Sequence, residues 1–313
     1  MKLCLNLYIP LIAVIILSGC GTIVRKAAVN QVAQTFANEK TWAVINSEND
    51  PELVWDSMPV AMKAMEVMLA QDPTNSQIKL VLAIAYVSYA QGNLAQNAQM
   101  TKNTDYNRSK HLSHRAHNLS LRGRDYALSA LDSKYTDFSK NIRINMQATL
   151  AQTTIEDVPC LYWAAAGWAG GISSNINDME NVADLPVSVA MMQRALELDE
   201  YYNDGAIHEF FIAYEARQPN ATKENMAQSK IHFDKVVEYT HGERAYPYVV
   251  YAESVAVKTQ DVKLFDEMLG NALKVNPNEV MKWRLVNTIA QERAAWLQTQ
   301  KELLFVDFEE IKE

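Results

Sequence analysis

Three phrases decide the fold: AMEVMLAQDP at 64–73, RALELDEYY at 194–202 and NALKVNPN at 271–278. Each reads as the last turns of a helix rich in Leu or Val, then Asp or Asn, then a turn former, then a second apolar helix. FDKVVEYTHGERAYPYV at 233–249 is a weaker copy, and the spacing lies near the tetratricopeptide period of about 34 residues. A helix pair of this kind buries its apolar face only against the next pair, so stacking into a solenoid is the expected outcome.

Composition agrees. With 10 Gly and 9 Pro among 313 residues, turns are few, and apolar residues recur at steps of three and four. In SQIKLVLAIAYVSYA, residues Ile78, Leu82, Ala85 and Tyr89 fall on one stripe. No run alternates as a strand would. The fold expected is all-α, a tetratricopeptide-like α-α solenoid or superhelix of eleven to thirteen helices without significant sheet. In YWAAAGWAGG at 162–171, the small residues Ala165, Gly167, Ala169 and Gly170 admit a close neighbouring helix while Trp163 and Trp168 fill volume.

The N-terminus resembles a bacterial lipoprotein signal. Lys2 opens it, Leu3 to Leu17 is mostly apolar but too short and broken for a membrane span, and Leu17-Ser18-Gly19-Cys20 has the form of the tetrapeptide cut before a lipidated cysteine. That resemblance implies a signal peptide over 1–19, a lipid anchor on Cys20, and a periplasmic protein held at the membrane, the outer membrane favoured because Gly21 rather than Asp follows. Residues 20–49 read as a lipidated tether with a short helix carrying Val29, Val32, Ala33 and Phe36 on one stripe. Residues 50–313 read as one repeat domain. Of the three cysteines, only Cys160 lies in that body and has no disulfide partner there, so stability must come from packing. Residues 93–118 are polar without apolar period, and read as a loop insertion with a helix starting near Ser113.

Function classes narrow quickly. A formal charge of −8 argues against nucleic acid. No His-Glu-x-x-His, Gly-x-Ser-x-Gly or phosphate-binding glycine loop occurs, so no catalytic residue, cofactor or metal is expected. His111, His114 and His117 read as a solvated stretch rather than a metal site.

The C-terminal half carries a specific resemblance. LPVSVAMMQRALELDEYYNDGAIHEFFIAYEA, HFDKVVEYTHGERAYPYVVYAESVAVKTQDVKLFDEMLGNALKVNP and RLVNTIAQERAAWL resemble the TatT family, the tetratricopeptide-repeat lipoproteins associated with tripartite ATP-independent periplasmic (TRAP) transporters. The resemblance implies a helical repeat fold with a ligand-sized cavity or pore, a homo-oligomer of trimeric form, and a partner in the solute-binding P component. A non-catalytic protein that helps hold or relay a small apolar or amphipathic solute follows as the expectation. The alternative is a repeat scaffold for envelope assembly with no solute site.

Helical spacing nominates cavity residues. His208, Ile212 and Glu215 share a stripe, as do Tyr248, Tyr251 and Val255, and Asn287, Gln291 and Ala294 with Trp283 a turn earlier. With Trp163 and Trp168 these would give an aromatic, apolar lining with a few polar anchors. The same residues equally suit buried, hydrogen-bonded packing between repeats.

Overall fold

The structure is a computed structural model that describes residues 27–36 and 38–306. Cys20 and the signal segment lie outside the described residues. The described chain is all-α, 81% helical with 16 helices and no strand. Counts above the expected thirteen arise where one helix is cut into short pieces. Asn145, for example, ends Phe138–Ile144 and caps Met146–Ala151 with its own side chain.

Each quoted phrase falls on a turn between paired helices. Helix Pro51–Gln71 leads through 72–75 into Ser76–Ser88, which Asn75 caps by accepting from Ile78 N–H. Leu185–Leu198 leads into Tyr202–Arg217, and Lys223–Thr240 into Tyr246–Tyr251 through left-handed His241 and Gly242. Val262–Lys274 leads into Arg284–Gln298. Side-chain caps at Asp50, Asp105, Thr222 and Asp261 satisfy first-turn amides that would otherwise lack partners. This alternation is compatible with a tetratricopeptide-like solenoid.

The polar stretch 93–118 is not a loop. It forms the end of a helix that runs through the π-helical turn Tyr89–Ala95 into Gln96–Thr101, then the start of the long helix Tyr106–Asp132. The reason it hides from an apolar pattern is that its buried face is itself partly polar. Ser109 donates to the Ala98 carbonyl at 2.6 Å. His117, buried, sets Nδ1 2.9 Å from the Gly171 carbonyl and Nε2 3.1 Å from Asp178. His111 and His114 stay on the solvated side.

Helix Tyr106–Asp132 packs tightly on Val158–Ser174. A Cβ at Gly167 would lie 2.8 Å from the Ser120 carbonyl oxygen and 2.9 Å from the Arg124 nitrogen, and one at Gly170 would strike Gln91. Glycine is therefore required for the approach, as the small-residue run suggested. Trp168 is fully buried between them, with Arg124 and Arg143 over its ring at 4.8 and 4.7 Å.

Packing then continues from pair to pair and returns to its start. Helix Arg284–Gln298 rests on Glu39–Asn46 and Pro51–Gln71. Arg284 Nη1 donates to the Ser47 carbonyl at 3.3 Å, and Arg293 Nη2 donates to Gln99 Oε1. The last long helix thus touches the first ones. Residues 27–36 are helical and also dock: Val29 and Ala33 are buried in the first core cluster, and Asn75 Nδ2 donates to Asn30 Oδ1 at 2.6 Å.

Candidate functional site

Charged and aromatic groups from several of the paired helices come together in one cluster. Tyr162 stands on Val158–Ser174, Glu209 on Tyr202–Arg217, and Tyr246 opens the helix after the turn that holds Arg244. Glu253 lies on a π-helical turn, Ala252–Ala256, and Arg293 on Arg284–Gln298. Turns of this type widen a helix by one residue and recur at functional sites.

Tyr246 lies close to both glutamates of this group. Its side chain is 41% exposed, yet its hydroxyl is pushed up to about 12, chiefly by burial, with Glu209, Glu253, Arg217 and Arg244 acting on it. Tyr162, half-buried, has its hydroxyl raised by burial too, and Glu209, Tyr202, Arg244 and Tyr246 act on it. The Tyr162 ring packs against Trp163 at 5.1 Å and Tyr202 at 5.2 Å. Neither the Tyr162 nor the Tyr246 hydroxyl makes a hydrogen bond among the described residues.

Two arginine–glutamate pairs accompany these phenols. Arg244 Nε sits 3.0 Å from Glu209 Oε1, both side chains buried, and Arg244 Nη1 donates to the Asn203 carbonyl at 3.0 Å. The Nε–H points off the line to the carboxylate, so both atoms count as unsatisfied hydrogen-bonding groups and the contact is Coulombic. Glu209 is raised to about 7, burial outweighing Arg244. Arg293 Nε donates to Glu253 Oε1 at 3.2 Å, its guanidinium lies 4.3 Å from the Trp296 ring, and its buried Nη1 has no partner among the described residues.

Asn203, Asp204 and Gly205 are all left-handed, with φ of 47°, 57° and 93°. Asp204 is held there by Lys282 Nζ at 2.9 Å and Trp283 Nε1 at 3.0 Å. These three residues interrupt regular helix geometry just before Glu209.

The residues nominated from spacing lie elsewhere, for the most part in packing positions. Trp168, Ile212 and Asn287 are fully buried and Tyr251 nearly so. Asn287 is a staple: Oδ1 accepts from Ala245 N–H at 2.8 Å and Nδ2 donates to the Glu243 carbonyl at 2.9 Å. Gln291 Nε2 donates to the Val275 carbonyl at 2.7 Å, closing the end of the preceding helix. Tyr248 and Tyr251 both pack on Phe233, and Tyr248 also lines an open surface cleft of 420 Å³ with Gly242, Lys274 and Glu279. Glu215 accepts from Asn225 at 2.6 Å. His208 Nδ1 lies 2.7 Å from His232 Nδ1 in a pocket walled by Tyr239 and Phe211. Trp163 alone touches the interior aromatic group.

Spacing did not nominate Tyr162, Arg244, Tyr246 or Arg293 of this cluster; Glu253 stood only on the flank of the Tyr248–Tyr251 stripe and Glu209 only as the neighbour of His208. The signal was near at hand, since Trp163 and His208 adjoin two of the cluster, Tyr162 and Glu209. The three left-handed residues at 203–205 and the π turns rotate the stripe, and uniform periodicity cannot register either. Cys160, half-buried, has its thiol pushed up to about 12 by burial, which removes it as a nucleophile. Among the described residues no group of three or more His, Cys, Asp or Glu is placed to hold a metal ion.

The described chain is an all-α fold of successive paired helices. The family model for the TRAP transporter T-component matches residues 47–305, and the chain belongs to that family. It is similar to an uncharacterized protein of Treponema pallidum (strain Nichols), 26% identical over 268 residues, with 84% of this chain and 83% of the other covered. The family is a component associated with a transporter, and no described helix is long and apolar enough to cross a membrane.

Proposed function

We propose that this chain is a non-catalytic periplasmic lipoprotein that binds the solute-binding P component of a TRAP transporter and holds or relays a small amphipathic solute through its interior. Membership of the T-component family carries the reading. The interior groups support the solute half of it: Tyr162, Tyr246 and Trp163 offer apolar surface, while two unpartnered phenol hydroxyls and the Arg244–Glu209 pair offer a polar anchor.

Mixing the purified chain with the P component from the same genome is the test. Association at micromolar concentration is expected, and its absence defeats the partner assignment. Cys20→Ala is expected to move the protein from the membrane fraction to the soluble one with its fold unchanged. The scaffold reading draws on a different observation, that most residues nominated for the cavity are packing positions. It is favoured if the P component binds equally with and without solute and Tyr246→Phe changes nothing.

A further inference from the structure

Helix Pro51–Gln71 turns an apolar strip to solvent. Val54, Met62 and Met65 are buried, and the helix packs on Ser76–Ser88. On the opposite side Leu53, Val60 and Val67 stand 56%, 73% and 65% exposed, with exposed Ser57 and Ala64 between them. A surface helix is ordinarily polar on its outer side. The strip spans about 21 Å at the rise of an α-helix. Pro59 is half-buried and lies about 100° round the helix from Val60, so the amide donor it lacks falls on the flank and not on the strip.

The tether selects the occupant. Val29 and Ala33 share a core cluster with Met62 and Met65, and Asn75 Nδ2 donates to Asn30 Oδ1 at 2.6 Å. The described chain therefore begins beside the turn 72–75, where helix Pro51–Gln71 ends. Cys20 precedes Ala27 by seven residues, which reach at most about 25 Å. Acyl chains on Cys20 thus hold this end of the helix about one strip length from a bilayer; the inference rests on the lipoprotein reading proposed above. An anchored chain meets its membrane at high effective concentration, so a surface too weak to bind lipid alone still sets its orientation. Exposed Glu52, Asp56 and Lys63 border the strip with mixed signs, which suits a zwitterionic surface met through apolar area.

We infer that the Leu53–Val60–Val67 strip rests on the lipid surface to which the chain is anchored, so that helix Pro51–Gln71 lies along the bilayer. Side chains of this kind sit at the boundary of headgroups and acyl chains while the flanking charges stay in water. A three-fold assembly with its anchors in one bilayer stands with its axis along the membrane normal, and presents the strip three times to the same surface.

The test uses the acylated chain in vesicles of phosphatidylethanolamine and phosphatidylcholine. A fluorescent thiol probe is placed, in a Cys160→Ser background, by Val60→Cys, Val67→Cys or, as the control, Ile231→Cys, which is 50% exposed on Lys223–Thr240. Spin-labelled lipid is expected to quench the probe at 60 and 67 at least about twice as strongly as at 231. Adding Val67→Asp should lower the quenching at 60. Equal quenching at the three positions overturns the proposal. Protection of the probe at 60 from aqueous iodide without quenching by lipid overturns it too, since protein then covers the strip. A chain with no lipid on Cys20, read from the mass of its N-terminal peptide, defeats the lipoprotein reading and this inference together. An acylated chain whose probe at 60 stays open to iodide defeats the inference alone.

Discussion

Arg244 and Glu209 form a buried pair, Nε to Oε1 at 3.0 Å, on the wall of the helical circuit. Removing Arg244 takes away the cation that favours the charged Glu209 carboxyl in a place where solvation is poor. Arg244→Met is therefore expected to destabilise the fold by about 3–5 kcal/mol. The double variant Arg244→Met/Glu209→Gln should recover much of that loss, and urea unfolding of the four proteins gives the coupling.

The same carboxyl gives a pH dependence. Glu209, raised to about 7 by burial, holds its proton more tightly folded than unfolded. Its contribution is thus most favourable below the ordinary carboxylate range and is lost as pH rises through 7. Urea midpoints of wild type and Glu209→Gln between pH 5 and 8 should differ in slope, the falling component being absent from the variant.

His208 acts in the opposite sense. Burial, and then the neighbouring His232, lower it from 6.5 to about 4. A histidine kept neutral in the fold contributes stability above 6.5 that is lost as pH falls toward 4, roughly 3 kcal/mol at full development. His208→Asn should flatten the acid limb of the stability profile. An unchanged limb would mean that the His208–His232 pair takes up a proton without cost.

Tyr246 and Tyr251 separate binding from packing. Tyr251 is 6% exposed among Phe233, Val249 and Val255, so Tyr251→Ala should cost about 3–5 kcal/mol. Tyr246→Phe removes a hydroxyl with no partner among the described residues and should leave the melting temperature within a degree or two. A solute that binds wild type is expected to bind Tyr246→Phe more weakly, measured by calorimetry.

Gly167→Ala tests the helix crossing. Its new methyl would press on the Ser120 carbonyl and the Arg124 amide, backbone atoms that cannot swing aside. A loss of about 1–3 kcal/mol in denaturant unfolding is expected.

Much was legible in the sequence alone. Phrases such as RALELDEYY and NALKVNPN marked the turns between paired helices because caps and turn formers act locally, within a few residues of the backbone they satisfy. The close-packed run at 162–171 was readable for the same reason: small side chains admit a neighbour wherever that neighbour comes from. Residues Ser109 and His117 misled, since a buried face built from polar groups has no apolar period.

The wall of the interior was decided only by tertiary structure. Regular geometry in Tyr202–Arg217 is interrupted at Asn203, Asp204 and Gly205, whose left-handed turn is held by Lys282 and Trp283 from nearly eighty residues away. Arg293 reaches Gln99 only because the last helix returns to the first. Local chemistry fixes where helices start and stop. The rotation of each helix, and so which of two neighbouring residues lines the opening, is set by contacts between segments far apart in the chain.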